Sequence, residues 1–161
     1  MKKIIVSFVA VLVCALMLTA CGSTQTLNDT PLDVALAQIN TAVFDGGESM
    51  RIIDSVDKLE LYYSISPEDV TEFAAEVAKN SATEIDEVIL VKAVDEAAAA
   101  RIAEKLELRL QSQKDLCASY SADLLAVAEQ SEVRTQGLLV SLIVTEQYDK
   151  AVSICDDILF S

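Results

Sequence analysis

The sequence predicts an α+β fold, in which helices cover one face of a small antiparallel sheet of about three strands that includes a C-terminal hairpin. Three observations favour this class. Apolar residues recur at helical spacing over most of the chain, residues 85–94 are rich in β-branched residues, and two short apolar runs meet at Gln136-Gly137, where glycine tolerates a tight turn. With 161 residues, 52% of them hydrophobic, the chain is long enough for one domain of ordinary size.

Residues 1–20 have the composition of a secretory leader. A basic start, Met1-Lys2-Lys3, precedes an apolar run over residues 4–18 that is interrupted only by Ser7. This run is shorter than the roughly 20 residues of a membrane-spanning helix. The following Leu18-Thr19-Ala20-Cys21 resembles the bacterial lipobox, in which the cysteine receives a diacylglycerol before cleavage on its N-terminal side. The alternative is an uncleaved signal anchor with a chance cysteine.

Lipidation of Cys21 predicts attachment to the outer face of the cytoplasmic membrane without a spanning segment. Residues 22–29 are polar and aperiodic, so residues 21–29 are expected to form a lipidated cysteine with a flexible tether, and residues 30–161 a single domain. The domain is acidic and gains nothing from anionic headgroups. The lipid must therefore supply the affinity for the membrane.

The N-terminal half of this domain is predicted to be helical. Thr30 is predicted to be the N-cap of a helix with Pro31 at its first position, and Asp45-Gly46-Gly47 ends that helix. Residues 50–65 favour a helix, with a short strand over residues 59–65 as the alternative. Ser66-Pro67-Glu68-Asp69 resembles a second helix start, and the spacing of the next apolar residues predicts a helix that ends near Asn80, its inward face being Val70, Phe73, Ala74 and Val77.

The second half alternates between strands and helices. Residues 85–94 are predicted to be a strand that is covered on both faces or nearly so, and Asp95 to cap a helix that extends to about Leu116. Arg101, Lys105 and Arg109 lie on the opposite side of this helix from its apolar stripe, which is typical of a solvated face. The remaining elements are predicted as a helix over 120–130, strands over 133–135 and 138–145, and a helix over 147–160.

From about Leu61 to Leu159 the chain resembles a domain of unknown function that recurs in small lipoproteins of Gram-positive bacteria. The matching residues are Tyr63 with Ile65-Ser66-Pro67-Glu68-Asp69-Val70, Glu84-Ile85, Arg109-Leu110 with Gln113, Tyr120, and Gly137. Ala122, Leu138 and Leu139 depart from the residues that members often carry, which puts in doubt a shared surface around the hairpin. The resemblance implies an envelope location and a fold, but no activity.

Composition argues against several functions. With 26 acidic and 12 basic residues the formal net charge is −14, which disfavours binding to nucleic acid. Because the chain has no His, it lacks the usual proton shuttle, zinc ligand and nucleophile partner. Three acidic clusters invite calcium, namely Asp54/Asp57/Glu60, Glu84/Asp86/Glu87 and Asp156/Asp157, but none fits the twelve-residue calcium loop. We therefore predict no metal, no cofactor and no catalytic residue.

Four residues remain as candidate functional or stabilising groups. Cys117 and Cys155 are either bridged, which would stabilise the fold by about 4 kcal/mol in the chain-entropy model, or two separate buried thiols. Arg109 and Tyr120 are the candidate interaction residues. For each of these two, the alternative is a structural role, with Arg109 paired to an acid on the helix surface and Tyr120 at the edge of the core.

The sequence thus predicts a lipid-anchored extracytoplasmic accessory or binding module that engages an envelope protein or a small ligand. Two alternatives belong to other classes. A wall hydrolase would need a cleft with one carboxylate of raised pKa. A structural spacer would have neither a cleft nor an exposed apolar patch.

Overall fold

A computed structural model of the chain describes residues 26–81 and 83–160. The predicted leader, the lipidation site Cys21 and most of the predicted tether lie outside these residues. Within the described part of the chain, no helix combines the length and the apolar character that crossing a membrane requires.

The described residues form ten helices and strands and one short 3₁₀ turn. Their bounds are α1 (Leu32–Val43), β1 (Met50–Ile53), α2 (Val56–Tyr63), the 3₁₀ turn (Pro67–Asp69), β2 (Val70–Ala78), β3 (Glu87–Ala93), α3 (Glu96–Ala118), α4 (Ala122–Gln130), β4 (Val133–Gln136), β5 (Leu139–Val144) and α5 (Tyr148–Leu159). The strands form one sheet in the order β1-β2-β3-β5-β4, with every neighbouring pair antiparallel. The fold is α+β, but the prediction of about three strands is wrong because the sheet has five.

The largest correction concerns β2, which the sequence predicted to be a helix. Its start is a single 3₁₀ turn, after which the backbone is extended. Phe73, Ala75 and Val77 pack on one side of the sheet, while Ala74 packs on the other. Apolar residues on both sides of a strand also satisfy a three- to four-residue period, so the period alone did not distinguish the two structures. Pairing with β1 and β3 overrides the helical propensity.

The segment predicted to be one helix over residues 50–65 is instead a strand followed by a helix. Met50 to Ile53 pair with Ala78 to Ala75 of β2 and form the edge of the sheet. Ser55 then caps α2 through its side-chain oxygen, which accepts a hydrogen bond from the backbone N–H of Lys58 at 3.4 Å. Ser64 ends α2 in the left-handed conformation.

The sheet lies between two layers of helices, so the prediction that helices cover one face is wrong and both faces are covered. Helices α2, α3 and α4 pack on one face, which we call face A, and α1 and α5 pack on the other, face B. In β3, Ile89 and Val91 point to face A and Val88 and Leu90 to face B, and all four are fully buried. The predicted burial of this strand on both faces is thereby confirmed.

The domain begins a few residues before the predicted boundary at residue 30. Leu27 forms a bridge with Phe160, and the backbone N–H of Asn28 donates to the carbonyl of Leu159 at 2.8 Å. The Asn28 side chain also donates to the carbonyl of Ile158. These contacts hold residues 27 and 28 against the end of α5, so the predicted tether is shorter by at least these residues.

Two glutamates of β2 attach α1 to face B. Pro31 occupies the cap position of α1 and provides no side-chain acceptor, so the predicted cap at Thr30 is replaced by Glu72, whose Oε1 accepts from the Leu32 N–H at 2.7 Å. Glu76 is buried, and its Oε2 accepts from the Asn40 side chain at 3.0 Å. Glu76 Oε1 and Asn40 Oδ1 have no hydrogen-bond partner among the described residues.

We predict that Glu76→Gln stabilises the protein at pH 7 by about 1 to 2 kcal/mol. Burial raises the pKa of Glu76 above its ordinary value of 4.5, with the Asn40 hydrogen bond opposing this effect. Because folding raises the pKa of Glu76, protonated Glu76 favours the folded state at low pH. This contribution to stability is lost as the pH rises through the folded-state pKa. The glutamine keeps an acceptor for the side-chain amide of Asn40. It also adds an N–H donor for Asn40 Oδ1, which lacks one.

Urea unfolding of both forms between pH 3 and pH 8 checks this prediction. The difference in the free energy of unfolding is expected to shrink towards zero at the acid end. The exposed Glu107→Gln serves as the charge-matched control. Equal stability of wild type and Glu76→Gln at pH 7 would contradict the prediction.

Candidate functional site

A buried carboxylate lies at the first residue of β3. Glu87 is fully buried on face A, and three side chains from the helical layer donate hydrogen bonds to it. The Tyr63 hydroxyl donates to Oε1 at 2.6 Å, Gln113 Nε2 donates to Oε2 at 3.0 Å, and Arg109 Nε lies 3.2 Å from both oxygens. We call these four residues the Glu87 cluster. They join the end of α2 and the middle of α3 to the sheet.

The charges within the Glu87 cluster stabilise one another. Burial and the nearby carboxylate of Glu87 raise the pKa of Tyr63 far above its usual range, so its hydroxyl remains a donor. Burial opposes the charge of Arg109, but the charge and hydrogen bond of Glu87 raise the pKa of Arg109 above its ordinary value. The Arg109 guanidinium carbon also lies 5.9 Å from the centre of the Tyr63 ring, within cation–π range.

Arg109 is only partly used by this cluster. Its Nε faces Glu87, whereas its two Nη groups donate to no acceptor among the described residues. The side chain keeps 37% of its surface exposed. The end of a guanidinium with two free Nη groups is the arrangement that binds a carboxylate or phosphate with two parallel hydrogen bonds.

A cleft of about 360 Å³ lies beside the Glu87 cluster. We call it the α3 cleft because one wall is the second half of α3, where Arg109, Ser112, Gln113, Leu116 and Cys117 line it. The facing walls come from the end of α2, from β1 and β2, from the connection between β2 and β3, and from Tyr120. Its floor is therefore the edge of the sheet at which β1 and β2 pair.

Sheet register explains why Arg51 reaches this cleft. Arg51 pairs with Val77, and Val77 pairs with Glu87, so the three residues form one row across the sheet and point to the same face. At about 4.8 Å between strands, the Cα atoms of Arg51 and Glu87 are roughly 10 Å apart. Arg51 forms no ion pair and no side-chain hydrogen bond within the described residues.

Apolar and aromatic side chains surround the opening of the cleft. Tyr62, Leu116 and Tyr120 are each about half exposed, although they are large apolar or aromatic groups. A shallower groove between α2 and α3 adjoins the cleft and shares Tyr62, Tyr63, Arg109 and Ser112 with it. Leu108 extends the exposed apolar surface along that groove. This side of the molecule combines free guanidinium groups with apolar walls.

The structure brings together the two candidate interaction residues of the sequence. Arg109 and Tyr120 both line the α3 cleft. Arg109 does not lie on a purely solvated face, because it reaches into the buried cluster. Its acidic partner is on β3 and not on the same helix. The Tyr120 hydroxyl lies 4.0 Å from the Cys117 sulfur, at the edge of the core.

Sequence reasoning missed Glu87 and Arg51 as members of this site. The signal for Glu87 was a charged residue at the start of a strand predicted to be buried, because such a charge needs a partner. Nothing in the sequence identified Arg109 as that partner, 22 positions further along the chain. Arg51 was missed because its segment was predicted to be helical, which removed it from the sheet row.

The two cysteines are free and buried on opposite sides of the sheet. Cys117 belongs to the core on face A and Cys155 to the core on face B. A bridge between them is not formed because the sheet separates the two sulfurs. Burial, together with the charge of Asp156, raises the pKa of the Cys155 thiol to about 12, and the charge of Arg134 opposes this rise.

The acidic clusters of the sequence are dispersed in the fold. Asp54 pairs with Lys58 at 2.7 Å, and Asp156 forms a bidentate pair with Arg134 at 3.0 and 2.7 Å. Glu87 is enclosed beneath α3. It is separated from Glu84 and Asp86, which lie in the preceding connection. Among residues 26–81 and 83–160, no group of three or more acidic or Cys side chains is arranged to hold a metal ion.

Comparison with known proteins yields one match. A family model described as Domain of unknown function (DUF4358) matches residues 45–145. The matched region runs from the turn after α1 to the residue after β5, and it contains the whole Glu87 cluster. No curated protein and no solved structure matches the chain.

We predict that Glu87→Ala destabilises the protein by about 3 kcal/mol, because it leaves the Tyr63 hydroxyl, Gln113 Nε2 and Arg109 Nε without their buried acceptor. The change is measured as the shift in the midpoint of urea unfolding. The control is Asp54→Ala, which breaks an exposed pair and is expected to have little effect. Equal midpoints for the two variants would show that the cluster does not stabilise the fold.

The cysteines provide a second test of the structure. In a Cys21→Ala form without its leader, neither Cys117 nor Cys155 is expected to react with a thiol reagent in the folded state, because both sulfurs are buried. Two thiols per chain are expected to react in denaturant without any reductant. Detection of thiols only after reduction would instead indicate a disulfide.

Proposed function

The chain belongs to the family described as Domain of unknown function (DUF4358), and we propose that it is a lipid-anchored, extracytoplasmic binding module whose α3 cleft takes up a small ligand. The family description assigns no activity. The proposal therefore depends on the leader-like sequence and on the geometry of the cleft.

Membrane anchoring is supported by residues 1–21. A basic start, an apolar run too short to span a bilayer, and the Leu18-Thr19-Ala20-Cys21 sequence occur together and in the order that lipidation of Cys21 requires. Two acyl chains on Cys21 would hold the protein at the membrane for long periods. Only residues 22–26 separate this cysteine from Leu27, which contacts the end of α5. At about 3.5 Å per residue, the domain would stay within roughly 20 Å of the anchor.

The observation that carries the binding role is the set of unused polar groups in the α3 cleft. The Arg109 Nη groups, the Arg51 guanidinium and Gln113 Oε1 have no protein partner among the described residues, and all three side chains line the same cavity. The volume of about 360 Å³ is at the small end of the range for ligand sites. A ligand with matching polar groups would satisfy them together.

The position of the cleft relative to the anchor supports the same function. Leu27 packs with the core on face B, whereas the α3 cleft opens on face A. The tether therefore leaves the domain from the layer of α1 and α5. The sheet lies between this layer and the cleft, so the attachment does not occupy the ligand site.

Binding accounts for the cleft better than either alternative function. A spacer requires neither the cavity nor the exposed apolar rim formed by Tyr62, Leu116 and Tyr120. A hydrolase requires two carboxyl groups on opposite sides of the substrate. Burial raises the pKa of Asp86, but the two carboxylates that line the cleft, Asp86 and Glu84, come from one segment and one wall. Glu87 accepts four hydrogen-bond contacts and is not among the residues that line the cleft.

We predict that Cys21→Ala moves the full-length protein from the membrane fraction to the soluble or secreted fraction and abolishes incorporation of a labelled fatty acid. The cause is loss of the thiol that carries the lipid. The reagents are a tagged wild type and the tagged variant, expressed in a bacterium with a lipoprotein pathway. If the wild type stayed in the membrane fraction but incorporated no label, this result would contradict anchoring through Cys21.

The binding role is tested by obstructing the cleft. Ser112 is exposed, lines the cleft and forms no side-chain hydrogen bond within the described residues, so Ser112→Trp is expected to fill the cavity and leave the fold intact. Small molecules are extracted from the purified proteins and compared by mass spectrometry. The matched control is Ser153→Trp on the exposed side of α5. A compound that copurifies with wild type and control, but not with Ser112→Trp, is expected; identical extracts would contradict the proposal.

A further inference from the structure

We infer that the α3 cleft recognises an α-carboxylate together with the N–H group on the neighbouring carbon, which is the chemistry shared by a free amino acid and the C-terminal end of a peptide. This assignment rests on the proposed binding function and specifies its ligand. It follows from the kind, number and orientation of the unpartnered groups in the cleft.

The two arginines define the anionic part of the ligand. Among the four arginines, Arg101 is paired with Asp69 and Arg134 with Asp156, both through bidentate contacts. Arg109 keeps its two Nη groups free, and Arg51 is unpaired within the described residues. Both unsatisfied guanidinium groups line this one cleft. A planar carboxylate fits the two Nη groups of Arg109 with parallel hydrogen bonds.

The anion site is local and is not a property of the whole surface. The chain has a formal net charge of −14, so its average field repels anions. At physiological salt this field is screened over about 8 Å. A carboxylate that enters the cleft meets a wall that includes Arg51 and Arg109. We therefore expect specific binding of one anionic group and not general attraction of polyanions.

Gln113 defines the second part of the ligand. Its Nε2 donates to Glu87 Oε2 at 3.0 Å, and because a carboxylate accepts only from a donor, this contact determines the orientation of the amide. Oε1 is consequently turned away from Glu87. It is buried without a hydrogen-bond partner among the described residues, in a side chain that is 6% exposed. An N–H group of the ligand would supply the missing donor.

The two requirements coincide in one chemical unit. Arg109 and Gln113 are four residues apart on α3, so their side chains are neighbours on the helix surface. A carboxylate bound by Arg109 therefore places its neighbouring atoms near Gln113. In an amino acid or a peptide end, the nitrogen is attached to the carbon next to the carboxylate. A simple fatty acid or inorganic phosphate lacks this donor.

The remaining residues that line the cleft distinguish a free amino acid from the C-terminal end of a peptide. Glu84 and Asp86 also line the cleft and would favour the ammonium group of a free amino acid. Tyr62, Leu116 and Tyr120 form a half-exposed rim that would contact the preceding residue of a peptide. A free amino acid and a peptide end make the same contacts with Arg109 and Gln113, so the experiment compares the two ligands directly.

The test is isothermal titration of the full-length protein, purified in detergent, with four probes. Alanine and N-acetyl-alanyl-alanine contain the complete unit, propionate lacks the N–H group, and N-acetyl-alanyl-alanine amide lacks the carboxylate. We expect at least one complete probe to bind about tenfold or more tightly than both incomplete probes. Tighter binding of alanine identifies amino acids as the ligand, and tighter binding of the acetylated dipeptide identifies peptide ends.

Two variants assign the binding to the predicted groups. Arg109→Lys keeps a positive charge near Glu87 but removes both Nη groups, and Arg51→Gln removes a charge that has no partner in the described structure. Each is expected to weaken the complete probe by about tenfold without changing the unfolding midpoint by more than a few degrees. Lys114→Gln on α3 removes the same charge outside the cleft, and its affinity is expected to equal that of wild type.

Three results would overturn the assignment. They are no saturable binding of either complete probe at millimolar concentration, equal affinity for the tighter complete probe and one of the incomplete probes, and unchanged affinity in both arginine variants. The extracts from Ser112→Trp show whether only the assigned ligand chemistry is wrong or the proposed binding function is wrong as well. If the extracts contain a cleft-dependent compound without an α-carboxylate, the module still binds a ligand but the chemistry assigned here is wrong.

Discussion

The buried carboxylate of Glu87 is the constraint on which the helical layer of face A depends. A carboxylate with no exposed surface is strongly destabilising unless donors surround it. Tyr63 from the end of α2 and Arg109 and Gln113 from α3 supply these donors. Their geometry sets the distance of both helices from the central strand. Arg109 and Gln113 also line the cleft, so residues that stabilise the domain through Glu87 contribute to the wall of the site.

The central part of the sheet is buried on both faces because a separate helical layer covers each one. Helix α1 is attached through the neighbouring strand: Glu72 accepts from the first turn of α1, and Glu76 contacts Asn40 further along the helix. On the other face of the same strand, Phe73 and Val77 pack beneath α2 and α3. β2 therefore connects the two layers. The edge that it forms with β1 is the floor of the α3 cleft, so the site depends on the pairing of these two strands.

Family membership and geometry contribute different information about function. The family description assigns no activity to its members, whereas the cleft defines a chemistry that can be tested with simple compounds. Lipid attachment at Cys21 would place this cleft outside the cytoplasm, on the side of the domain that faces away from the tether. In that location, free amino acids and peptide ends are ligands that a small receptor or accessory module could encounter. The proposed location and the proposed ligand chemistry are consistent but independently testable.

The sequence by itself determined the elements whose local signals agree with their environment. β3 was predicted because β-branched residues fill both of its faces, α3 because Asp95 is a capping residue, and the hairpin because glycine tolerates a positive φ, which Gly137 adopts at +61°. Only the tertiary structure decided that β1 and β2 are strands, since their apolar spacing also fits a helix and pairing within the sheet overrides that preference. The site depends on the same decision. Arg51 lines the same cleft as Arg109 only because of the sheet register, and Glu87 meets its donors only through packing across layers, which local spacing does not encode.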